Sequence, residues 1–246
     1  MARTKSFTRR ARRLNESMQR TWDTFGPRYV VDVARGVGET TVDPSVKPLS
    51  FRKLFGRESL VRCEIGAGNG DQIVSAAAAH PDRDFLAFEV YRPGVVKTIA
   101  KAHKAGVTNL KILEVDAQQA MPILFPDACL DELWVFFPDP WRKARHHKRR
   151  LVQPAFAKEV VRVLRPGGKW LLATDWEDYA FQMRDVVEDC PGLTNPYAGM
   201  NPDPHDPDGE RGGFAPRWPG RLMTHFERRG LDAGRVVRDI VGQKIA

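Results

Sequence analysis

The sequence predicts an α/β fold: a mostly parallel sheet of seven strands with helices on both faces and an antiparallel hairpin at one edge. Three observations carry that expectation. From residue 59 short apolar runs alternate with helical stretches, and the runs are rich in Val, Ile, Leu and Phe, as strands buried on both faces require. A glycine-rich turn, Gly66-Ala67-Gly68-Asn69-Gly70, follows the first run, where an open parallel sheet takes its ligand. Near the C-terminus two runs, Arg221 to Glu227 and Arg235 to Val241, flank a Gly-containing segment and read as an antiparallel edge pair.

Leu60 to Glu64 reads as the first strand, and the glycine turn leads into an Ala-rich helix ending near His80. Phe85 to Val90 is the second strand, and Pro93 opens the next helix at a favoured first-turn position. Leu110 to Val115 is the third. Leu133 to Phe137 is the fourth, running into Pro138-Asp139-Pro140-Trp141. A helix from about Leu151 to Leu164 ends at the stop and turn signal Arg165-Pro166-Gly167-Gly168, and Trp170 to Thr174 is the fifth strand. Residues 191 to 220 are dense in Pro, Gly and Asp and read as one long loop, either a surface segment or a lid. Residues 1 to about 20, with Arg3, Lys5, Arg9, Arg10, Arg12 and Arg13, read as a mobile basic arm ahead of a single catalytic domain over 21 to 246.

The formal net charge of +8 in 246 residues favours a polyanionic partner. Cys63, Cys129 and Cys190 are odd in number and lack metal-ligand spacing, so reduced thiols in a cytoplasmic protein are expected, without a metal site. No apolar run approaches membrane-spanning length, which argues against a membrane protein.

Acidic residues stand at five strand ends: Glu64, Glu89, Asp116, Asp139 and Asp175. Any one of them could merely cap the following helix; their recurrence points to a ligand. A dinucleotide fingerprint would place its third glycine at position 71, where this chain has Asp71. Glu64, just ahead of Gly66 and Gly68, would repel a pyrophosphate but suit the cationic methionine end of S-adenosylmethionine. Glu89 is placed to accept from ribose hydroxyls, and Asp116 could meet the adenine amino group.

Asp139 sits in Pro138-Asp139-Pro140-Trp141, and the chain continues as Arg142-Lys143-Ala144-Arg145-His146-His147-Lys148-Arg149-Arg150. Cations in such density beside a ligand-facing strand end can hold phosphates and position a polynucleotide without reading its sequence. Trp141, Trp176 and Trp218 are either packing residues or platforms for an unpaired base. The Pro-Asp-Pro-Trp segment with its basic run, together with Glu64-Ile65-Gly66, Thr174-Asp175 and Thr224-His225-Phe226-Glu227, resembles the bacterial tRNA (guanine-N7-)-methyltransferase family over about residues 59 to 245.

That resemblance implies a Rossmann-like class I methyltransferase that moves a methyl group from S-adenosylmethionine to N7 of a guanine in tRNA, at position 46 of the variable loop. It implies cofactor binding by Glu64, Glu89, Asp116 and Asp139. It also implies substrate binding by Lys143, Asp175 and Thr224 to Glu227, with RNA contact across Arg145, His146, His147, Lys148, Arg149 and Arg150. Guanine N7 carries a lone pair and no proton, so its attack on the methyl needs no general base. Carboxylates that favour the developing positive charge are expected instead, with Asp139 and Asp175 as candidates and Glu227 accepting from guanine N1 and N2. Whether Asp139 serves cofactor, base or both is open at this point. A methyltransferase of metabolites or proteins leaves the basic run unexplained, and a non-catalytic RNA-binding protein leaves the intact acidic set unexplained.

Overall fold

The computed structural model describes residues 13–209 and 211–245. The chain divides into two compact units, residues 1–125 and 126–246, a division that composition and spacing do not show. Residues 1–12 of the expected basic arm lie outside the described residues. The rest of that segment differs from expectation: a helix, α1 (Glu16–Tyr29), already begins at Glu16, where Asn15 accepts from the Met18 amide and caps it.

In the first unit α1 is followed by α2 (Phe51–Phe55), β1 (Val61–Ile65), α3 (Asp71–Ala79), β2 (Asp84–Phe88), α4 (Arg92–Lys104), β3 (Leu110–Leu113) and α5 (Ala117–Leu124). Strand β2 pairs in parallel with β1 on one side and β3 on the other. All five of its residues are buried, which is why no polar alternation marks it in the sequence. Helix α1 packs on α4: Arg92 lies 4.5 Å over the Trp22 ring, and Phe25 stacks on His103 at 3.7 Å. The exposed His103 ring thus contributes to the contact between α1 and α4. Arg92 also forks onto the buried Glu114 carboxylate at 2.9 and 2.8 Å.

The second unit contains β4 (Leu130–Phe136), a short 3-10 segment (Ala144–Arg149), α6 (Pro154–Val163), β5 (Leu164–Thr174), α7 (Glu177–Glu188), β6 (Leu193–Thr194), α8 (His225–Asp232) and β7 (Arg238–Lys244). Strands β4 and β5 are parallel, and β7 runs antiparallel to β5 and to β6. The strand order is β3-β2-β1 within the first unit and β4-β5-β7-β6 within the second. The edge pair is present, but the partner of β7 differs from the expected one. Arg221 to Glu227 is no strand; its second half opens α8, and the two-residue β6 takes the edge. Strand β5 also starts earlier than expected. Pairing steps from Leu130↔Leu164 to Glu132↔Lys169, so Arg165-Pro166-Gly167-Gly168 bulges within the strand instead of separating it from the helix.

Among the described residues, 195–209 and 211–220 lack regular structure but are pinned. Arg184 on α7 is buried and pairs with the buried Asp206, Arg238 reaches Asp203 at 2.5 Å, and Arg211 reaches Glu188 at 2.6 Å. Removing one partner of a buried pair leaves an uncompensated charge. Arg184→Ala is therefore expected to cost about 3–5 kcal/mol in chemical denaturation; an unchanged midpoint would mean that Asp206 is solvated. Among the described residues no helix is long and apolar enough to cross a membrane, and no cluster of three or more His, Cys, Asp or Glu could hold a metal ion. All three cysteines are buried and unpaired with one another.

Candidate active site

The glycine turn leaves β1 at Ile65. Gly66, Gly68 and Gly70 have φ of +79°, +57° and +76°, a path that side chains with a Cβ rarely follow. The turn is held from β2: the amides of Gly66 and Ala67 donate to Phe88 O at 2.8 and 3.1 Å. Glu89 Oε2 accepts from the Gly68 amide at 2.7 Å, and Oε1 accepts from the Tyr91 amide at 2.8 Å. Glu89 thus clamps the turn, a use the sequence did not suggest. Gly94, in the first turn of α4, has no room for a side chain, since a Cβ would lie 2.5 Å from Gly68 O. On the other side of the turn a Cβ at Gly66 would meet nothing within 4 Å.

Glu64 is buried at the end of β1, and its Oε2 has no hydrogen-bond partner among the described residues. Burial, then the negative charges of Glu89 and Asp71, push its carboxyl up to about 8 against the opposing pull of the Ile73 amide. An orphaned buried carboxylate beside an open glycine turn fits a cationic ligand, and would not fit a pyrophosphate. Asp116 takes the capping role, accepting from the Gln118 amide at 3.0 Å at the start of α5, while its own amide donates to Thr40 O.

In the second unit, β4 runs into a turn whose two ends are both left-handed: Phe137 has φ +52° and Trp141 +46°. Bulky residues hold that conformation at a cost of roughly 1–3 kcal/mol each, and such strain collects at functional sites. Asp139 lies exposed between them. Lys143, Arg145 and Lys148 are exposed, and the 3-10 segment carries His146, His147 and Arg149 half-buried. Arg149 lies 5.0 Å over the Trp141 ring, and Arg142 lies 4.7 Å over Trp176. Partial burial, then the charges of Arg149, Arg145, Lys143 and Lys148, hold the His146 imidazole below its ordinary value. Trp218 is a packing residue, 4.9 Å from the Trp134 ring. Arg150, expected at the RNA like the rest of the run, differs from its neighbours in being buried, with donors on Pro140, Gln182 and Asp178.

The C-terminal motif is a helix start. Thr224 Oγ1 accepts from the Glu227 amide at 3.2 Å, half of a capping box on α8. Glu227 is buried, and its carboxylate accepts from Arg217 at 2.9 and 3.1 Å and from Arg221 at 3.1 Å. Burial works against ionisation there, but Arg217 and Arg221 outweigh it and hold the carboxyl below its usual range. These pairs correct the expectation that Glu227 accepts from guanine N1 and N2, because its oxygens are already engaged. Arg221 is itself buried and also paired with Asp239. The side chains of His225 and Phe226 lie outside the described residues. Asp175, at the end of β5, accepts from Arg235 Nε at 2.7 Å and packs against Gly230 of α8. Arg217, Arg221, Arg235 and Asp239 were missed from sequence; only the Thr224-x-x-Glu227 spacing offered a local signal.

A family model described as "Putative methyltransferase" matches residues 58–207. The tRNA (guanine-N(7)-)-methyltransferase of Cutibacterium acnes is 45% identical over 240 residues, covering 98% of this chain and 83% of that protein. The protein of the same name from Pseudomonas putida strain W619 is 40% identical over 243 residues, covering 99% and 92%. Among solved structures, the 16S rRNA methyltransferase KamB superposes with a TM-score of 0.55 at 21% identity, covering 80% of this chain and 93% of that one. TrmN from Thermus thermophilus gives 0.50 at 18% identity, covering 79% and 47%. These structural likenesses concern the fold, that of class I methyltransferases, and the full-length likeness in sequence goes further: the chain belongs to the tRNA (guanine-N(7)-)-methyltransferase family.

Proposed function

We propose that this protein, working in the cytoplasm, methylates N7 of a guanine in tRNA, at position 46 of the variable loop, giving 7-methylguanosine. The observation that carries this reading is the 45% identity, over 98% of the chain, to a relative whose name states that activity. Bound S-adenosylmethionine would supply an electrophilic sulfonium methyl. Glu64 would neutralise the cationic end of that molecule, Gly66 and Gly68 would let it approach the backbone, and Glu89 and Asp116 would accept from its ribose and adenine. Asp139 is the catalytic carboxylate in this reading. It and Asp175 favour the positive charge that the base acquires, and no residue has to remove a proton. Lys143, Arg145, Lys148 and Arg149 hold RNA phosphates, with His146 and His147 among them, and Thr224 to Glu227 shape the substrate side through α8.

The test is methyl transfer from labelled S-adenosylmethionine to unmodified bulk tRNA, with the product mapped by cleavage at 7-methylguanosine. Label at a variable-loop guanine is the expected result; label only at another base would overturn it. The basic run makes a separate claim. Neutralising Arg145 and Lys148 together should flatten the slope of log affinity against log salt by about 1.4–1.8, at roughly 0.7–0.9 for each phosphate contact. A slope unchanged by both substitutions would mean that the exposed run does not touch RNA.

A further inference from the structure

Arg150 closes the basic run, yet its surroundings are unlike those of the residues before it. Lys148 and Arg145 are open to solvent, whereas the Arg150 side chain is 2% exposed. Its Nε donates to Pro140 O at 2.9 Å, Nη1 to Gln182 Oε1 at 2.7 Å and Nη2 to Asp178 Oδ2 at 2.6 Å. The guanidinium lies 4.6 Å over the ring of Tyr179, which is itself buried. It borders a cleft of about 490 Å³ lined by Asp178 and Asp185 of α7 and by Asp189, which caps that helix. A guanidinium buried to this degree and held by these acceptors offers a phosphate little access, and a phosphate would meet carboxylates on the way.

The carbonyl that Arg150 grips belongs to the turn between Phe137 and Trp141, both left-handed. Bulky residues stay in that conformation only when their surroundings impose it. Arg150 is one such constraint, with three of its contacts running to the turn and to α7. Gln182 completes the strut, because its Nε2 donates to Val152 O at 2.9 Å while its Oε1 holds Arg150.

We infer that Arg150 is a positioning residue: it fixes the strained Pro138–Trp141 turn, and with it Asp139, from α7, and it makes no contact with RNA. Its effect on turnover rests on the methyl-transfer reading above; its effect on the turn does not.

Three variants of the full chain separate the possibilities: Arg150→Gln, Arg150→Lys and Gln182→Met. For each, amide hydrogen exchange across residues 137–149 is measured without substrate, kcat and KM are measured on unmodified tRNA, and binding is followed against salt. The strut predicts faster exchange over 137–149 in all three, a kcat lowered about 100-fold, as a misplacement near 1 Å produces, and an unchanged salt slope. Arg150→Lys should fail to rescue, since an ammonium cannot span three acceptors in a fixed fork. A phosphate contact would show the opposite pattern: Arg150→Gln flattening the slope by about 0.7–0.9, Arg150→Lys restoring it, and Gln182→Met behaving as the parent. That pattern would overturn the inference. If the Arg150 variants do not fold, Gln182→Met, which changes no charge, decides alone by its exchange and kcat. A parent protein that leaves tRNA unlabelled would sink the functional reading, and the exchange data would still decide the strut.

Discussion

Glu64→Gln should make the cofactor-free protein more stable in alkali while crippling its affinity for S-adenosylmethionine. The Glu64 carboxyl is pushed up to about 8 from an ordinary 4.5, so the folded protein holds this proton more tightly than the unfolded chain does. The sign follows: the group costs nothing below about pH 4.5, its penalty grows as pH rises, and it is complete above about 8. A shift of this size corresponds to on the order of 5 kcal/mol. Chemical denaturation of parent and variant should therefore agree near pH 4 and diverge by pH 9, with the glutamine form the more stable. Parallel behaviour at both pH values would mean that water reaches Glu64. Binding should move the other way. Loss of a charge-assisted contact is worth roughly 1.5–3 kcal/mol, so calorimetry should show cofactor affinity weakened about 10- to 100-fold. In the parent, affinity should rise with pH until about 8 and proton release should accompany binding, since the carboxyl has to ionise to meet the cation.

Asp139→Ala should lower single-turnover methylation of tRNA by about 10²–10³-fold, the usual loss when one preorganised electrostatic group is removed from a reaction centre. The side chain is exposed, so the denaturation midpoint should stay within about 0.5 kcal/mol of the parent. Asp139→Asn distinguishes charge from shape: if the carboxylate acts on the charge of the product base, the amide should be as slow as alanine. A cofactor dissociation constant equal to the parent's would assign Asp139 to the base; one raised in step with the rate loss would assign it to the cofactor. Methylation by Asp139→Ala at the parent's rate would remove it from the mechanism altogether.

The alternation of strands and helices was legible because a sheet buried on both faces demands uninterrupted apolar runs, and Phe85-Leu86-Ala87-Phe88 could hardly be anything else. The acidic strand ends were legible as candidates, since ligands of an open parallel sheet are expected at the carboxyl ends of its strands. Much of what the individual carboxylates do was not. Glu227 reads as a free acceptor until Arg217 and Arg221 fold onto it, and nothing in the spacing of 217, 221 and 227 says that all three are drawn together. Arg150 reads as one more cation in a solvated run; its burial depends on Tyr179, Asp178 and Gln182, some thirty residues away in sequence. Helix α8 was misread because Leu222-Met223 and Phe226 mimic a strand's apolar content, although the Thr224-x-x-Glu227 spacing carried the helix-start signal. The early start of β5 escaped because Pro166-Gly167-Gly168 has turn chemistry, and a bulge uses the same residues without ending the strand.

The two sides of the glycine turn set the terms for anyone wishing to re-engineer the donor molecule. On the α4 side the backbone of Gly94 sits against the Gly68 carbonyl with no space for a single methyl, so enlargement there would displace the turn itself. On the side of Gly66 the space is open and only the backbone's left-handed path resists a side chain. With the donor lying against the turn as proposed above, a side chain at residue 66 would take up the room that a bulkier sulfonium analogue needs, at a conformational cost of the order of 1–2 kcal/mol besides, so libraries aimed at such analogues should leave residues 66 and 94 as glycine.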